Sequence, residues 1–145
     1  MRLVLDNSVV MRWLFGDGSE ADRRYAEEVL ACFEQEETVA LVPPVWPLEV
    51  GNVVARAEAK GLLQEARSIA FLSLLRDMAI EIDPAANRLA LSETLQLARR
   101  YGLSTYDASY LELALREDLP LATIDADLRK ALKKAGGRLA LEGMD

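Results

Sequence analysis

The chain has 145 residues, of which 51% are hydrophobic and 28% charged, a composition typical of one soluble globular domain spanning residues 1–145. It contains no histidine and one cysteine, which excludes histidine-dependent catalysis, imidazole zinc sites, internal disulfides and thiolate metal cages. The formal net charge of −7 argues against a protein that coats nucleic acid by bulk electrostatics, but it leaves open a metal-dependent nuclease that grips a few phosphates.

Short apolar segments alternate with amphipathic ones along the chain. Strands are predicted over 3–5, 39–42, 79–82 and 121–124, with a weak final strand over 138–141. Helices are predicted over 7–15, 20–37, 64–78 and 126–135, and three more run from Pro47 towards Gly61, from Asp83 to about Gly102, and onward from Ser104. Apolar strands separated by helices predict an α/β fold whose parallel sheet is covered on both faces. No apolar run approaches the roughly 20 residues that span a bilayer, so a cytoplasmic protein without a membrane partner is expected.

Three aspartates stand where predicted strands end or helices begin. Asp6 and Asp125 each follow a strand, and in an open parallel sheet ligands collect at the carboxyl ends where the strand order reverses. If the first and fourth strands are neighbours, these two acids meet there. Asp107 lies three residues after Ser104 in a helix-start box, and all three acids could simply cap helices. Asp83 also follows a strand, but the proline after it makes a plain helix start the better interpretation.

Glu49 is harder to explain structurally. It is the only charged residue between Glu37 and Arg56, and an ionised side chain in apolar surroundings costs several kcal/mol unless it is paired or bound to a cation. A partly buried ion pair with Arg12 or Arg56 is the structural alternative. Gly51, in the same helix, predicts a close packing contact there.

The acids become more informative when they are considered together. Two carboxylates ~4 Å apart repel by roughly 4 kcal/mol at an effective dielectric near 20, so a fold that gathers four of them needs a cation between them. Ligands that are all oxygen select Mg²⁺ or Mn²⁺, and such sites typically serve phosphate chemistry. The four acids are Asp6, Glu49, Asp107 and Asp125.

Four parts of the chain resemble PIN-domain ribonucleases, particularly the VapC-type toxins of toxin–antitoxin pairs: DNSVVMRWL, the lone Glu49, STYDASYLELA and ATIDADLRKAL. The resemblance implies a three-layer α/β/α domain with about five parallel strands and a Mg²⁺- or Mn²⁺-dependent hydrolysis of RNA phosphodiester bonds. Carried over by position, it makes the same four acids metal-binding and catalytic. Ser8 and Thr123 match supporting positions, and Asp127 is an extra acid beside them.

The resemblance also implies a homodimer and a small VapB-like antitoxin that covers the site. Two other functions stay open. One is a catalytically inactive PIN domain that acts as a binding module. The other is a phospho-acceptor receiver domain, although that class usually has an acidic pair after the first strand and a lysine after the fifth, whereas Asn7 follows Asp6 here.

One acid-free basic stretch follows Asp125, and it contains Arg129, Lys130, Lys133, Lys134 and Arg138. It either holds RNA phosphates, with Arg129 and Lys133 as candidates, or forms a solvated face that complements a helix C-terminus. Arg12, one turn from Asp6, is a candidate for a phosphate or antitoxin contact. The aromatic residues Trp13, Trp46, Tyr106 and Tyr110 are expected to pack among apolar neighbours.

Overall fold

The computed structural model describes residues 1–35 and 37–142. Within these ranges, strands β1 (Arg2–Leu5), β2 (Val39–Val42), β3 (Ile80–Ile82) and β4 (Leu121–Ala122) form one sheet in the order β3-β2-β1-β4. All three strand pairings are parallel, as predicted. The expected fifth strand is reduced to a single bridge between Leu139 and Leu121, so the described sheet has four strands instead of about five.

Helices flank the sheet. They are α1 (Asn7–Phe15), α2 (Glu20–Gln35), α3 (Val45–Ala59), α4 (Glu65–Asp77), α5 (Ala86–Leu89), α6 (Leu95–Tyr101), α7 (Thr105–Arg116) and α8 (Ala126–Lys134). Pro47 lies in the first turn of α3, where its missing N–H removes no helical hydrogen bond. In the described part of the chain, no helix has the length and apolarity needed to cross a membrane.

Two predicted helices differ from the structure. The helix expected from Asp83 begins only at Ala86, and a π-helical turn over Ala90–Thr94 separates α5 from α6. Asp83 does not start a helix. It is 3% exposed, and its Oδ2 lies 2.6 Å from Nη2 of Arg116, so the helix-start interpretation is wrong. The predicted helix 20–37 ends at Gln35, and residue 36 lies outside the described residues.

The core encloses β1 from both sides. Leu3, Val4 and Leu5 are all fully buried, and because successive strand residues point to opposite faces, both faces of the sheet are covered at β1. Helix α7 contributes Tyr110 and Leu111, also fully buried, to the same core. The central strand is therefore rigidly placed, and so is the residue that follows it.

The predicted meeting of the first and fourth strands is confirmed. Leu5 pairs with Ala122, and the backbone N–H of Asp6 donates to the Ala122 carbonyl at 2.9 Å. Strands β1, β2 and β3 progress in one direction across the sheet and β4 lies on the other side of β1, so the strand order reverses between β1 and β4. Ligands of open α/β sheets bind at such a reversal.

Candidate active site

The four acids singled out in the sequence lie at or near the N-terminal ends of four helices. Asp6 directly precedes α1, Glu49 lies near the start of α3, Asp107 is in the first turn of α7, and Asp125 is the N-cap of α8. Helix N-termini carry a partial positive charge, which favours ionised carboxylates. The helix backbone therefore favours a carboxylate near each of these N-terminal ends.

Asp6 is held by two hydroxyl groups. Its carboxylate is 5% exposed, and Oδ2 accepts hydrogen bonds from Ser8 Oγ at 2.6 Å and from Thr123 Oγ1 at 2.8 Å. Its side chain makes no capping bond to α1, so capping does not explain it. Burial raises the pKa of Asp6, the two hydroxyls lower it, and the charge of Asp125 raises it again.

The hydroxyls of Ser8 and Thr123 also order the chain after β4. Thr123 Oγ1 accepts from the backbone N–H of Asp125 at 3.1 Å, and Ser8 Oγ accepts from that of Ile124 at 3.1 Å. Asp125 Oδ1 in turn accepts from the Leu128 N–H at 2.8 Å, so Asp125 is a true helix cap. Among the described residues its Oδ2 has no hydrogen-bond partner, which leaves one oxygen for another ligand.

Glu49 is bound by a residue that the sequence did not assign to the site. The hydroxyl of Tyr110 donates to Glu49 Oε1 at 2.5 Å, and no described arginine forms an ion pair with this carboxylate. Burial raises the pKa of Glu49, the Tyr110 hydrogen bond lowers it, and the charges of Asp6 and Asp107 raise it. Tyr110 lies three residues after Asp107 on α7, and this helical spacing was the signal that could have identified it.

Asp107 also has a raised pKa. Its backbone N–H donates to Ser104 Oγ at 3.0 Å, which confirms half of the predicted capping box. Burial raises the pKa of Asp107 to about 6, with further contributions from the charges of Asp6, Asp125 and Asp127. The acids therefore share one electrostatic environment, although they come from separate elements.

A model of the PIN domain matches residues 3–134 of this chain. The chain belongs to the PIN-domain family. PIN domains are generally nucleases. The receiver-domain alternative is therefore wrong.

The structural comparison agrees on the fold. The crystal structure of PAE2754 from Pyrobaculum aerophilum is similar to this PIN domain with a TM-score of 0.63 and 22% sequence identity. The likeness covers 90% of this chain and 79% of that one. A search of curated proteins found no match.

PIN domains generally use divalent metal ions, and the donors here are of the right type. Carboxylate and hydroxyl oxygens suit Mg²⁺ or Mn²⁺. The described residues contain no group of three or more acidic side chains already close enough to hold an ion. Mg²⁺ usually keeps several waters and takes only one or two carboxylates, so a complete protein cage is not required. The residues thus fit the ion by chemistry.

The three side chains predicted to bind RNA in this PIN domain, those of Arg12, Arg129 and Lys133, differ in their contacts and exposure. Arg12 Nε is 3.1 Å from Asp17 Oδ1, and its side chain is 22% exposed. Arg129 Nε donates to the Thr123 carbonyl at 2.7 Å, and its guanidinium carbon lies 4.8 Å from the ring centre of Tyr25. Lys133 is exposed. Arg129 therefore ties α8 to the end of β4, a role that the sequence did not indicate.

Proposed function

We propose that this PIN domain is a Mg²⁺- or Mn²⁺-dependent endoribonuclease, the toxin of a cytoplasmic toxin–antitoxin pair. The observation that carries the proposal is the electrostatic coupling of acids from separate elements: Asp6 and Asp125 raise the pKa of Asp107, while Asp6 and Asp107 raise that of Glu49. Asp6 and Asp125 follow neighbouring strands at the point where the strand order reverses, which is where ligands of open α/β sheets bind. Carboxylates that repel one another are stabilised by a cation.

In this proposal each acid has a role at the ion. Asp6, Glu49, Asp107 and Asp125 are the catalytic and metal-binding residues, with support from Ser8, Thr123 and Asp127. A bound ion would polarise the scissile phosphate and activate water for its hydrolysis. Tyr110 orients Glu49, while the hydroxyls of Ser8 and Thr123 lower the pKa of Asp6 against the larger effect of burial. Arg12, Arg129 and Lys133 are the phosphate contacts that we propose from the sequence.

The antitoxin and homodimer parts of the proposal are supported by apolar surface beside the acids. Leu48, next to Glu49, is 74% exposed, and Tyr106, next to Asp107, is 61% exposed. The expectation that Tyr106 packs among apolar neighbours is therefore wrong, whereas Tyr110 is fully buried as expected. Large exposed apolar side chains are typical of surfaces that a partner covers. A small gene just upstream that encodes a DNA-binding protein would identify the antitoxin.

The deciding experiment compares Asp107→Asn with the matched control Asp77→Asn, an exposed residue at the end of α4. Asparagine keeps the shape of Asp107 and removes its charge. RNA cleavage with Mn²⁺ should fall by at least about a hundredfold in Asp107→Asn and stay at the wild-type rate in Asp77→Asn. The metal-free Asp107→Asn protein should gain roughly 1 kcal/mol of stability because one repelling charge is gone.

In cells, induction of the protein alone should stop growth and leave new 5′-phosphate ends on a small set of RNAs. An Asp107→Asn variant that cleaves RNA at the wild-type rate would remove Asp107 from the site and contradict the proposal.

A catalytically inactive PIN domain that acts as a binding module is the second candidate. The described acids form no ready group of three ligands, and this observation favours it. It predicts no cleavage by the wild type with either ion and no rise in melting temperature on adding metal. Both measurements are made on the same samples as the Asp107→Asn comparison.

A further inference from the structure

A cleft of about 350 Å³ lies between the C-terminal end of α6 and one face of α8. Arg100 and Tyr101 contribute to its wall from α6, and Lys130 and Lys134 from α8. Asp127 also lines the cleft. Because Asp127 comes two residues after Asp125, the cleft opens next to the acids of the candidate active site.

Among the described residues, acids do not neutralise the positive charge of this cleft. Three cations and one carboxylate line it, giving a local charge of +2 in a chain of net charge −7. Within the described residues, no carboxylate oxygen lies within 4 Å of the charged nitrogens of Arg100, Lys130 or Lys134. Arg116 shows the opposite case, since it forms ion pairs with three acids.

Helix geometry aligns these side chains with the acids. Lys130 and Lys134 are four residues apart and therefore share one face of α8, about 6 Å apart along its axis. Asp127 lies one turn before Lys130 on that face. Arg129 projects differently, because its Nε is bound to the Thr123 carbonyl. Only one side of the basic stretch is therefore directed into the cleft.

We propose that this cleft binds the sugar–phosphate backbone of single-stranded RNA beside the bond that is cut, with Arg100, Lys130 and Lys134 as phosphate contacts. The inference rests on the proposed function, since it takes the neighbouring acids as the place of cleavage. A row of unpaired cations that leads away from an acidic site suits a polyanion. At the acids, a phosphate can approach only when a bound metal ion offsets their negative charge. In the cleft, the basic side chains contact the flanking phosphates directly.

The test measures binding of a fluorescein-labelled single-stranded RNA of about 12 nucleotides by anisotropy, in EDTA, at several salt concentrations. The variants are Arg100→Ala, Lys130→Ala and Lys134→Ala. Arg99→Ala and Lys60→Ala are the matched controls, because both residues are exposed, outside the cleft and in no described ion pair. Each cleft variant should weaken binding about threefold and lower the salt slope by about 0.7, while the controls stay within about 1.5-fold of wild type.

Cleavage by the wild type with Mn²⁺ is measured in parallel, so that the two proposals fail separately. If the wild type cuts RNA and the cleft variants bind it as tightly as the controls do, the cleft inference is overturned and the nuclease proposal stands. Binding of an acidic protein partner at the cleft, with RNA affinity unchanged, would overturn it equally. If the wild type does not cut RNA at all, the proposed function fails whatever the cleft variants show.

Discussion

Thr123 is the residue on which most of the site's order depends. Its single hydroxyl donates to Asp6 and accepts from the Asp125 N–H, and the side chain is fully buried. One side chain thereby joins the ends of two neighbouring strands. A buried amide that loses its acceptor costs about 1–3 kcal/mol, so this position tolerates little change.

Thr123→Val removes the hydroxyl and keeps the shape. We expect it to lower the free energy of unfolding by about 1–3 kcal/mol, because the Asp125 N–H loses its acceptor and Asp6 loses a donor. Thr123→Ser keeps the hydroxyl and should lose about 1 kcal/mol or less, from the missing methyl group. Urea denaturation measures both. Equal losses in the two variants would show that packing, and not the hydroxyl, matters here.

Single residues also show where sequence reasoning reached its limit. The resemblance to PIN-domain ribonucleases placed Ser8 and Thr123 beside Asp6, and both hydroxyls donate to that carboxylate. Tyr110 could not be separated from ordinary core aromatics, because its hydroxyl partner lies 61 residues away in sequence. The prediction of a close packing contact at Gly51 is wrong. No neighbouring atom lies within 4 Å of the position that a Cβ atom would take there. Gly137 is the tight position, because a Cβ atom there would collide with Leu132 Cδ1.

Between β3 and α7, an ion-pair network replaces the apolar contacts found elsewhere. Arg116 donates to Asp83 at 2.6 Å and to Glu112 at 2.6 Å, and these two carboxylates are 4% and 5% exposed. Their hydrogen bonds raise the pKa of Arg116 above its ordinary value, so it stays charged. The network fastens the carboxyl end of the edge strand to the last turn of α7.

Arg116→Met should lower the free energy of unfolding by about 3–5 kcal/mol, because it leaves two buried carboxylates without a partner. Arg99→Met, a change of an exposed and unpaired arginine, is the control and should cost less than about 0.5 kcal/mol. A midpoint of urea denaturation equal to that of the control would contradict the importance of the network.

Helices and strands with a clear apolar period were predictable, and α1, β2 and α8 begin within about two residues of their expected starts. The elements that differ are governed by contacts between distant residues. Strand 121–124 shortens to Leu121–Ala122 because the amides of Ile124 and Asp125 bond to hydroxyls instead of to a neighbouring strand. The helix after Asp83 starts late because that carboxylate is bound to Arg116.

At the scale of the whole protein, these neighbouring acids determine how the free energy of unfolding depends on pH. Asp6, Glu49 and Asp107 all have pKa values raised in the folded state, that of Asp107 from 3.8 to about 6. A raised carboxyl pKa means that the native state holds the proton more firmly than the unfolded state. The metal-free protein should therefore lose stability as the pH rises from about 4 to about 6.

To isolate the contribution of Asp107 to this pH dependence, the free energy of unfolding is measured against pH for the wild type and for Asp107→Asn. The second curve is then subtracted from the first. The difference should fall by on the order of 1 kcal/mol over this pH window, a value reduced for the partial exposure of Asp107. Above about pH 6, Mg²⁺ at a hundred times its Kd should raise the free energy of unfolding of the wild type by about 2.7 kcal/mol. A difference curve that is flat from pH 4 to 6 would show that Asp107 is not electrostatically strained.

The strand order has a consequence for how the protein is made. Among the described strands β1 is synthesised before the others, yet in the sheet it lies between β2 and β4. On the ribosome, at about 5–20 residues per second, Leu121 follows Leu5 by roughly 6 to 23 seconds. During that time the backbone N–H and C=O groups along one edge of β1 have no partner strand. Asp6, which follows β1, also cannot meet Asp125, which precedes α8, until both segments have been synthesised, so the candidate active site forms late relative to β1.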